Sequence, residues 1–296
     1  MFKAEGIIPA MITPFDSNEQ INEEAIRIMV NRFISAGVHG LFCLGTNGEF
    51  FSLSFEEKVR ISEIVIEETA GRLPVYVGAG CISTAETIRL ARRLEVAGAD
   101  ALSIITPYFL HYTQQELLHH YQSIAAATAL PIVLYNIPAR TGNALQPMTV
   151  AKLAEIHSIV GIKDSSGSFD TILQYIERTP PSFSVMAGTD SLILATLMAG
   201  GRGAIASTAN IFPEKVTAIY ELWKKEDYGG AEEAQRALRA IRNAFQLGTL
   251  PSVLKAMLNK MGVPAGPARK PVLALTPEAE KELQLVYEQY LQQGLL

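Results

Sequence analysis

Between Ser158 and Gly167 the chain reads SIVGIKDSSG, an apolar run that ends in Lys163 and is followed by a carboxylate and two hydroxyls. A lysine so placed can do what a solvated one cannot. Desolvation disfavours the charged form of an amine, and a neutral amine attacks a ketone to give a Schiff base. The protonated imine withdraws electrons from the neighbouring carbon, so a C–C bond beta to the nitrogen can form or break. If the run is a strand, its side chains alternate between faces, and Lys163 shares a face with Gly161, whose missing side chain leaves room for a long one. The bland alternatives are pairing with Asp164 and snorkelling of the amine into solvent. Lys58, Lys152, Lys215, Lys224, Lys225 and Lys281 fall on helical patterns and read as solvated, so Lys163 stands apart.

Two further stretches can serve the same chemistry. Tyr135 ends the run PIVLYN and shares a face with Val133. A phenol beside an imine-forming lysine can shuttle protons, or it can simply cap a strand. GTNGEF, Gly45 to Phe50, is a tight turn whose backbone N–H groups and Thr46 hydroxyl can hold a carboxylate, although glycine-bearing turns are common without a ligand. His119 and His120 are adjacent on a helical pattern and cannot face one ligand together. The sequence has no HExxH motif, paired-cysteine motif or carboxylate cluster at metal spacing, no G-x-S-x-G elbow and no Walker loop. Neither a metal nor a nucleotide cofactor is implied, and amine chemistry is what remains.

Elements that could position these groups alternate along the chain. Short apolar runs (GIIPAMIT, GLFCLG, PVYVGAG, ALSIIT, PIVLYN, IVGIKD, FSVMAG and GAIAS) are separated by helically patterned segments: Glu23 to Ala36, Phe55 to Glu68, Thr84 to Ala97, Gln114 to Ala127, Met148 to Ile156, Asp170 to Glu177, Ser191 to Ala199 and Pro213 to Lys225. Apolar strands without clean alternation suit a parallel sheet covered on both faces. Repetition of the βα unit in this length predicts a closed (β/α)8 TIM barrel, with a doubly wound open sheet as the competitor. Active sites of barrels lie at the carboxyl ends of the strands, where Lys163, Tyr135 and the GTNGEF turn all fall. After Glu226 the alternation stops. Tyr228 to Gln246, Pro251 to Met261 and Pro277 to Gln293 read as helices, giving a barrel over 1–225 and a C-terminal helical extension over 226–296 packed on it.

Bulk properties fit one folded unit. At 296 residues roughly 75% of the unfolded surface can be buried. A net charge of −5 without a basic block argues against nucleic acid and anionic membranes. No apolar run reaches the roughly 18 residues of a membrane helix. MFKAEGIIPAMITPF lacks a signal-peptide pattern, and two cysteines, Cys43 and Cys81, read as free thiols in a reducing compartment. A cytoplasmic protein acting on a small molecule is expected.

GTNGE, YNIPARTG and GIKDSSG, in that order at those strand ends, resemble the dihydrodipicolinate synthase / N-acetylneuraminate lyase family over nearly the whole chain. The resemblance implies a class I, Schiff-base lyase acting on a 2-oxo acid, usually pyruvate, with no cofactor beyond the covalent imine, in a homotetramer. It implies that Lys163 forms the imine, Tyr135 relays protons and Thr46 opens the carboxylate-binding turn. It also implies that Asn47, Arg140, Gly188 and Ile205 line the substrate pocket. Two positions depart from the lysine-pathway synthases of the family. Asn47 stands where they usually carry a second threonine, and Phe109 where they carry a tyrosine donated across a subunit interface. Neither can pass a proton as a hydroxyl does. The turn, GAGCIST and TLPSVLKAML lean instead toward 4-hydroxy-2-oxoglutarate aldolase. Arg140, in PARTG, suits the carboxylate of either second substrate. The expectation is therefore an aldolase of the 4-hydroxy-2-oxoglutarate type, with a synthase condensing pyruvate with aspartate semialdehyde as the alternative. A dehydratase on a sugar-derived 2-oxo acid and a noncatalytic pyruvate-binding protein stand further off.

Overall fold

A computed structural model describes residues 2–295. Its eight strands are β1 (Gly6–Pro9), β2 (Leu41–Cys43), β3 (Val75–Gly78), β4 (Ala101–Ile105), β5 (Ile132–Asn136), β6 (Ile159–Asp164), β7 (Ser184–Ala187) and β8 (Gly203–Ala206). All ladders are parallel, in the order β1-β8-β7-β6-β5-β4-β3-β2. The ring closes between β1 and β2, where Ala10 bridges Phe42 and the Met11 amide donates to the Phe42 carbonyl at 2.8 Å. This is the (β/α)8 barrel that the alternation predicts, and the open sheet is excluded.

The strands are apolar on both faces because two separate cores use them. Ile7, Leu41, Val77, Leu102, Leu134 and Ile162 point outward into a large cluster shared with the helices. Ile8, Phe42, Tyr76, Val133, Met186 and Ile205 fill the barrel interior. Helices start where the sequence can cap them. Ser54 and Glu57 form a reciprocal box ahead of Phe55–Thr69, with the Glu57 amide donating to Ser54 Oγ at 3.1 Å and the Ser54 amide to Glu57 Oε2 at 2.8 Å. Thr113 and Glu116 do the same ahead of Gln114–Ala125.

Beyond shifts of one to three residues at helix ends, the helical structure departs from expectation in three places. The segment from Tyr228 is broken into Tyr228–Ala237 and Arg239–Ala244. Ser191 to Ala199 begins as a 3₁₀ turn, Asp190–Leu192, before the helix Ile193–Met198. PARTG, which lies outside the helically patterned segments, contains a one-turn helix, Pro138–Thr141. Pro138 supplies its first residue, and Gly142 closes it at φ 74°. The helices after Lys225, including Ser252–Lys260 and Pro277–Gln292, contribute Leu254, Leu258 and Leu283 to the same outer core as the barrel. Among the described residues no helix is long and apolar enough to cross a membrane.

Candidate active site

Position 163 is set by β6. Tyr135 and Lys163 are Cα partners on the neighbouring strands β5 and β6, so their side chains leave the same face. The register shifts between Ile132 and Val133, placing an extra residue in β6 ahead of Gly161. Such bulges re-aim the residues that follow. Gly161 is required for a closer reason than space for Lys163. A Cβ there would stand 2.5 Å from the Ser184 carbonyl oxygen of β7.

Lys163 is 4% exposed, although its side chain is an amine. Nζ lies 4.1 Å from the centre of the Tyr135 ring and 5.1 Å from that of Phe42. It does not pair with Asp164, which alternation sends to the opposite face. The Asp164 carboxylate accepts from Asn136 Nδ2 at 2.7 Å and from Ser166 Oγ at 2.6 Å. Burial pushes this carboxyl above the usual range, against those hydrogen bonds. Both bland readings of Lys163 therefore fail, since the amine neither pairs with its neighbour nor reaches into solvent.

Thr46 Oγ1 is 3.2 Å from Tyr135 Oη, which joins the turn after β2 to the phenol beside the amine. That turn is under backbone constraint. Leu44, just ahead of it, and Glu49, near its end, stand at φ 59° and 55°, a region costly for non-glycine residues. It is held from several sides: Thr13 Oγ1 donates to the Gly48 carbonyl at 2.7 Å, and the Arg269 amide donates to Glu49 Oε2 at 2.8 Å. Lys255 Nζ meets Glu49 Oε1 at 2.6 Å in a fully buried pair. Burial pulls the Lys255 amine down to about 8, opposed by the Glu49 charge.

Asn47 is buried and turned to the wall. Its amide nitrogen donates to the Ala10 carbonyl at 3.2 Å and to Ser207 Oγ at 2.9 Å. Ser207 is itself fixed by Asp190, whose carboxylate accepts from the Ser207 and Thr208 amides. Asn47 thus braces the first and last βα loops, and the contact between Thr46 and Tyr135 forms without it.

These residues enclose a cavity of about 210 Å³, lined by Lys163, Tyr135, Thr46, Asn47, Arg140 and Gly188 among others. A Cβ at Gly188 would lie 2.1 Å from Ser165 Oγ, so glycine lets the β7 loop close on the β6 loop. Ile205 is fully buried in the barrel interior, two residues before the cavity wall at Ser207. Phe109 points away. It is 87% exposed at φ 86°, while the ring of the preceding Tyr108 packs on Phe50 at 5.9 Å. Two cavity residues come from the C-terminal extension: Arg242, on the helix Arg239–Ala244, and Leu250, in the turn before Ser252–Lys260. The sequence carries no signal for them, because an arginine on a polar helix reads as solvated until tertiary packing is known. A larger cleft, of about 380 Å³, lies between Ser252–Lys260 and the loop Gly266 to Leu275. Its buried lysine, Lys255, is spent on Glu49 and on the Pro267 carbonyl at 2.8 Å.

The arrangement offers a buried amine for a ketone, a phenol and hydroxyl in contact for proton transfer, and a constrained turn for a carboxylate. Known proteins share the framework. The pattern of the dihydrodipicolinate synthetase family matches residues 3–290. The 4-hydroxy-tetrahydrodipicolinate synthase of Methanopyrus kandleri is 44% identical over 95% of this chain and 94% of its own. A dihydrodipicolinate synthase from Thermotoga maritima superposes with a TM-score of 0.95 at 31% identity, covering 100% of both chains. A prophage protein of the same family from E. coli K12, solved in complex with pyruvate, gives 0.94 at 32% identity over 99% of each chain. Two of these three relatives are named as synthases, and none of the three as a 4-hydroxy-2-oxoglutarate aldolase, toward which the motifs lean. Sequence, fold and the placement of Lys163 agree: the chain is a lyase that belongs to the dihydrodipicolinate synthetase family of Schiff-base pyruvate aldolases.

Proposed function

We propose that the protein is a 4-hydroxy-tetrahydrodipicolinate synthase, joining pyruvate to aspartate semialdehyde through an imine at Lys163. The observation that carries the chemistry is the pairing of Lys163 with Tyr135 across β5 and β6, with Thr46 touching the phenol. The aldehyde is supported by the 44% identical relative of that name. Lys163 Nζ adds to C2 of pyruvate, and the ketone oxygen leaves as water. Loss of a proton from C3 gives an enamine, which attacks the aldehyde carbon while the aldehyde oxygen takes up a proton; the substrate's own amino group then adds to C2 and expels Lys163 Nζ, closing the ring and freeing the lysine. Tyr135 is the group placed to move both the proton lost with water and the one gained by the aldehyde. The turn at Thr46 holds the pyruvate carboxylate, and Arg140, on the cavity rim, faces the second substrate.

A second reading uses the same imine to cleave 4-hydroxy-2-oxoglutarate to pyruvate and glyoxylate. It is favoured by Asn47, which leaves the relay one hydroxyl short, and by Phe109 at the position of the donated tyrosine. Side-by-side assays separate the two. Condensation of pyruvate with aspartate semialdehyde should exceed cleavage of 4-hydroxy-2-oxoglutarate in kcat/KM. The reverse order would replace the first reading with the second, and Phe109→Tyr should then leave cleavage unaffected.

A further inference from the structure

Arg242 enters the cavity from outside the barrel. It lies on the helix Arg239–Ala244 and lines the same cavity as Lys163. Its Nε is buried and meets no hydrogen-bond partner. Among the described residues its guanidinium makes no ion pair, and it lies 5.5 Å from the centre of the Phe245 ring. Several other guanidiniums are engaged: Arg60 with Glu23, Arg93 with Glu63, Arg236 with Glu232, Arg269 with Glu57, and Arg32 with the carbonyls of Asn210 and Ile211. A buried N–H without a partner is costly, more so on a charged group. At the wall of a cavity, a bound ligand can supply the missing partner.

Charge balance points the same way. Arg140 and Arg242 line the cavity beside Lys163, and among the described residues no aspartate or glutamate does. The carboxylate of a 2-oxo acid, seated at the Thr46 turn, answers only part of that positive charge. A planar guanidinium with free N–H groups matches a carboxylate in two-point contact.

We propose that Arg242, together with Arg140, binds a second, distal carboxylate of the reacting compound. The helical extension would then select aldehydes bearing an acid group and reject neutral, sugar-like ones. The proposal rests on imine formation at Lys163 and names the substrate class of that same site.

Imine trapping reads it without commitment to one aldehyde. Pyruvate, 2-oxoglutarate and 2-oxoadipate are titrated with borohydride, beside the chain-matched monoacids 2-oxopentanoate and 2-oxohexanoate. The half-saturating concentration of each is read from adduct mass on the intact chain. In the wild type at least one diacid should trap at about tenfold lower concentration than its monoacid. Arg242→Gln should cut that ratio several-fold, Arg140 holding what is left, and Arg242→Lys should leave it intermediate. Because the readout is a ratio, a loss of folded protein lowers both members and does not imitate the result. If Arg242→Gln does not fold, the ratio in Arg242→Lys decides. A wild-type ratio of one or less, or a ratio that survives undiminished in the variants, overturns the proposal. Failure of pyruvate itself to trap has a different signature: it removes the imine reading, and this inference falls with it.

Discussion

Three side chains that are far apart in sequence meet at atomic distance. Tyr135 Oη is 3.2 Å from Thr46 Oγ1, and Lys163 Nζ is 4.1 Å from the Tyr135 ring centre. Removing the phenolic oxygen alone tests its part. Tyr135→Phe keeps the ring that packs edge-on against Phe42, so the fold should persist while kcat falls by about 10²- to 10⁴-fold. Steady-state kinetics on the pure variant measure this, and a loss below about tenfold would take proton transfer away from Tyr135. Lys163 and Tyr135 were legible in the sequence because each is a polar group ending an apolar run. The role of Asn47 was not. Its type is visible as a missing hydroxyl, but its bracing of Ala10 and Ser207 depends on how the first and last βα loops meet around the ring.

At the scale of elements, the GTNGEF turn depends on the C-terminal helices. Glu49 sits at its end in a left-handed conformation, fully buried, and its carboxylate meets Lys255 of Ser252–Lys260 and the backbone of Arg269. Truncating one partner of such a pair strands the other charge, at a cost of about 3–5 kcal/mol. Lys255→Met should therefore destabilise the protein by that order in urea unfolding, and adding Glu49→Gln to it should recover a substantial part. A double variant no more stable than Lys255→Met would show that the pair does not carry the effect. Strand and helix identities followed from apolar periodicity, and helix starts from caps such as Ser54 with Glu57. The break between Ala237 and Arg239 and the one-turn helix at Pro138 were not legible, since both are settled by packing that no local pattern records. The same limit hid Arg242, whose exposure is decided by where its helix docks.

For the whole molecule, stability should depend on pH through a group far from the chemistry. His120 is buried on the helix Gln114–Ala125, with Nδ1 2.9 Å from Thr84 Oγ1, and burial pulls it down from 6.5 to about 4. Between those values the unfolded chain binds more protons than the folded one, so stability rises with pH across that window and is lost as pH falls from 6.5 toward 4. The contribution is of order 3 kcal/mol. Urea unfolding at pH 7 and pH 4.5 should show a smaller difference in His120→Asn than in the wild type, and equal differences would mean that His120 is not the source.

The account as a whole turns on which amine meets the ketone. Two lysines are buried, Lys163 in the cavity and Lys255 against Glu49. The direct measurement is to incubate the protein with pyruvate, reduce with borohydride and map the modified residue by peptide mass. The adduct should lie on Lys163 and vanish in Lys163→Met. An adduct on Lys255, or none at all, would contradict the assignment.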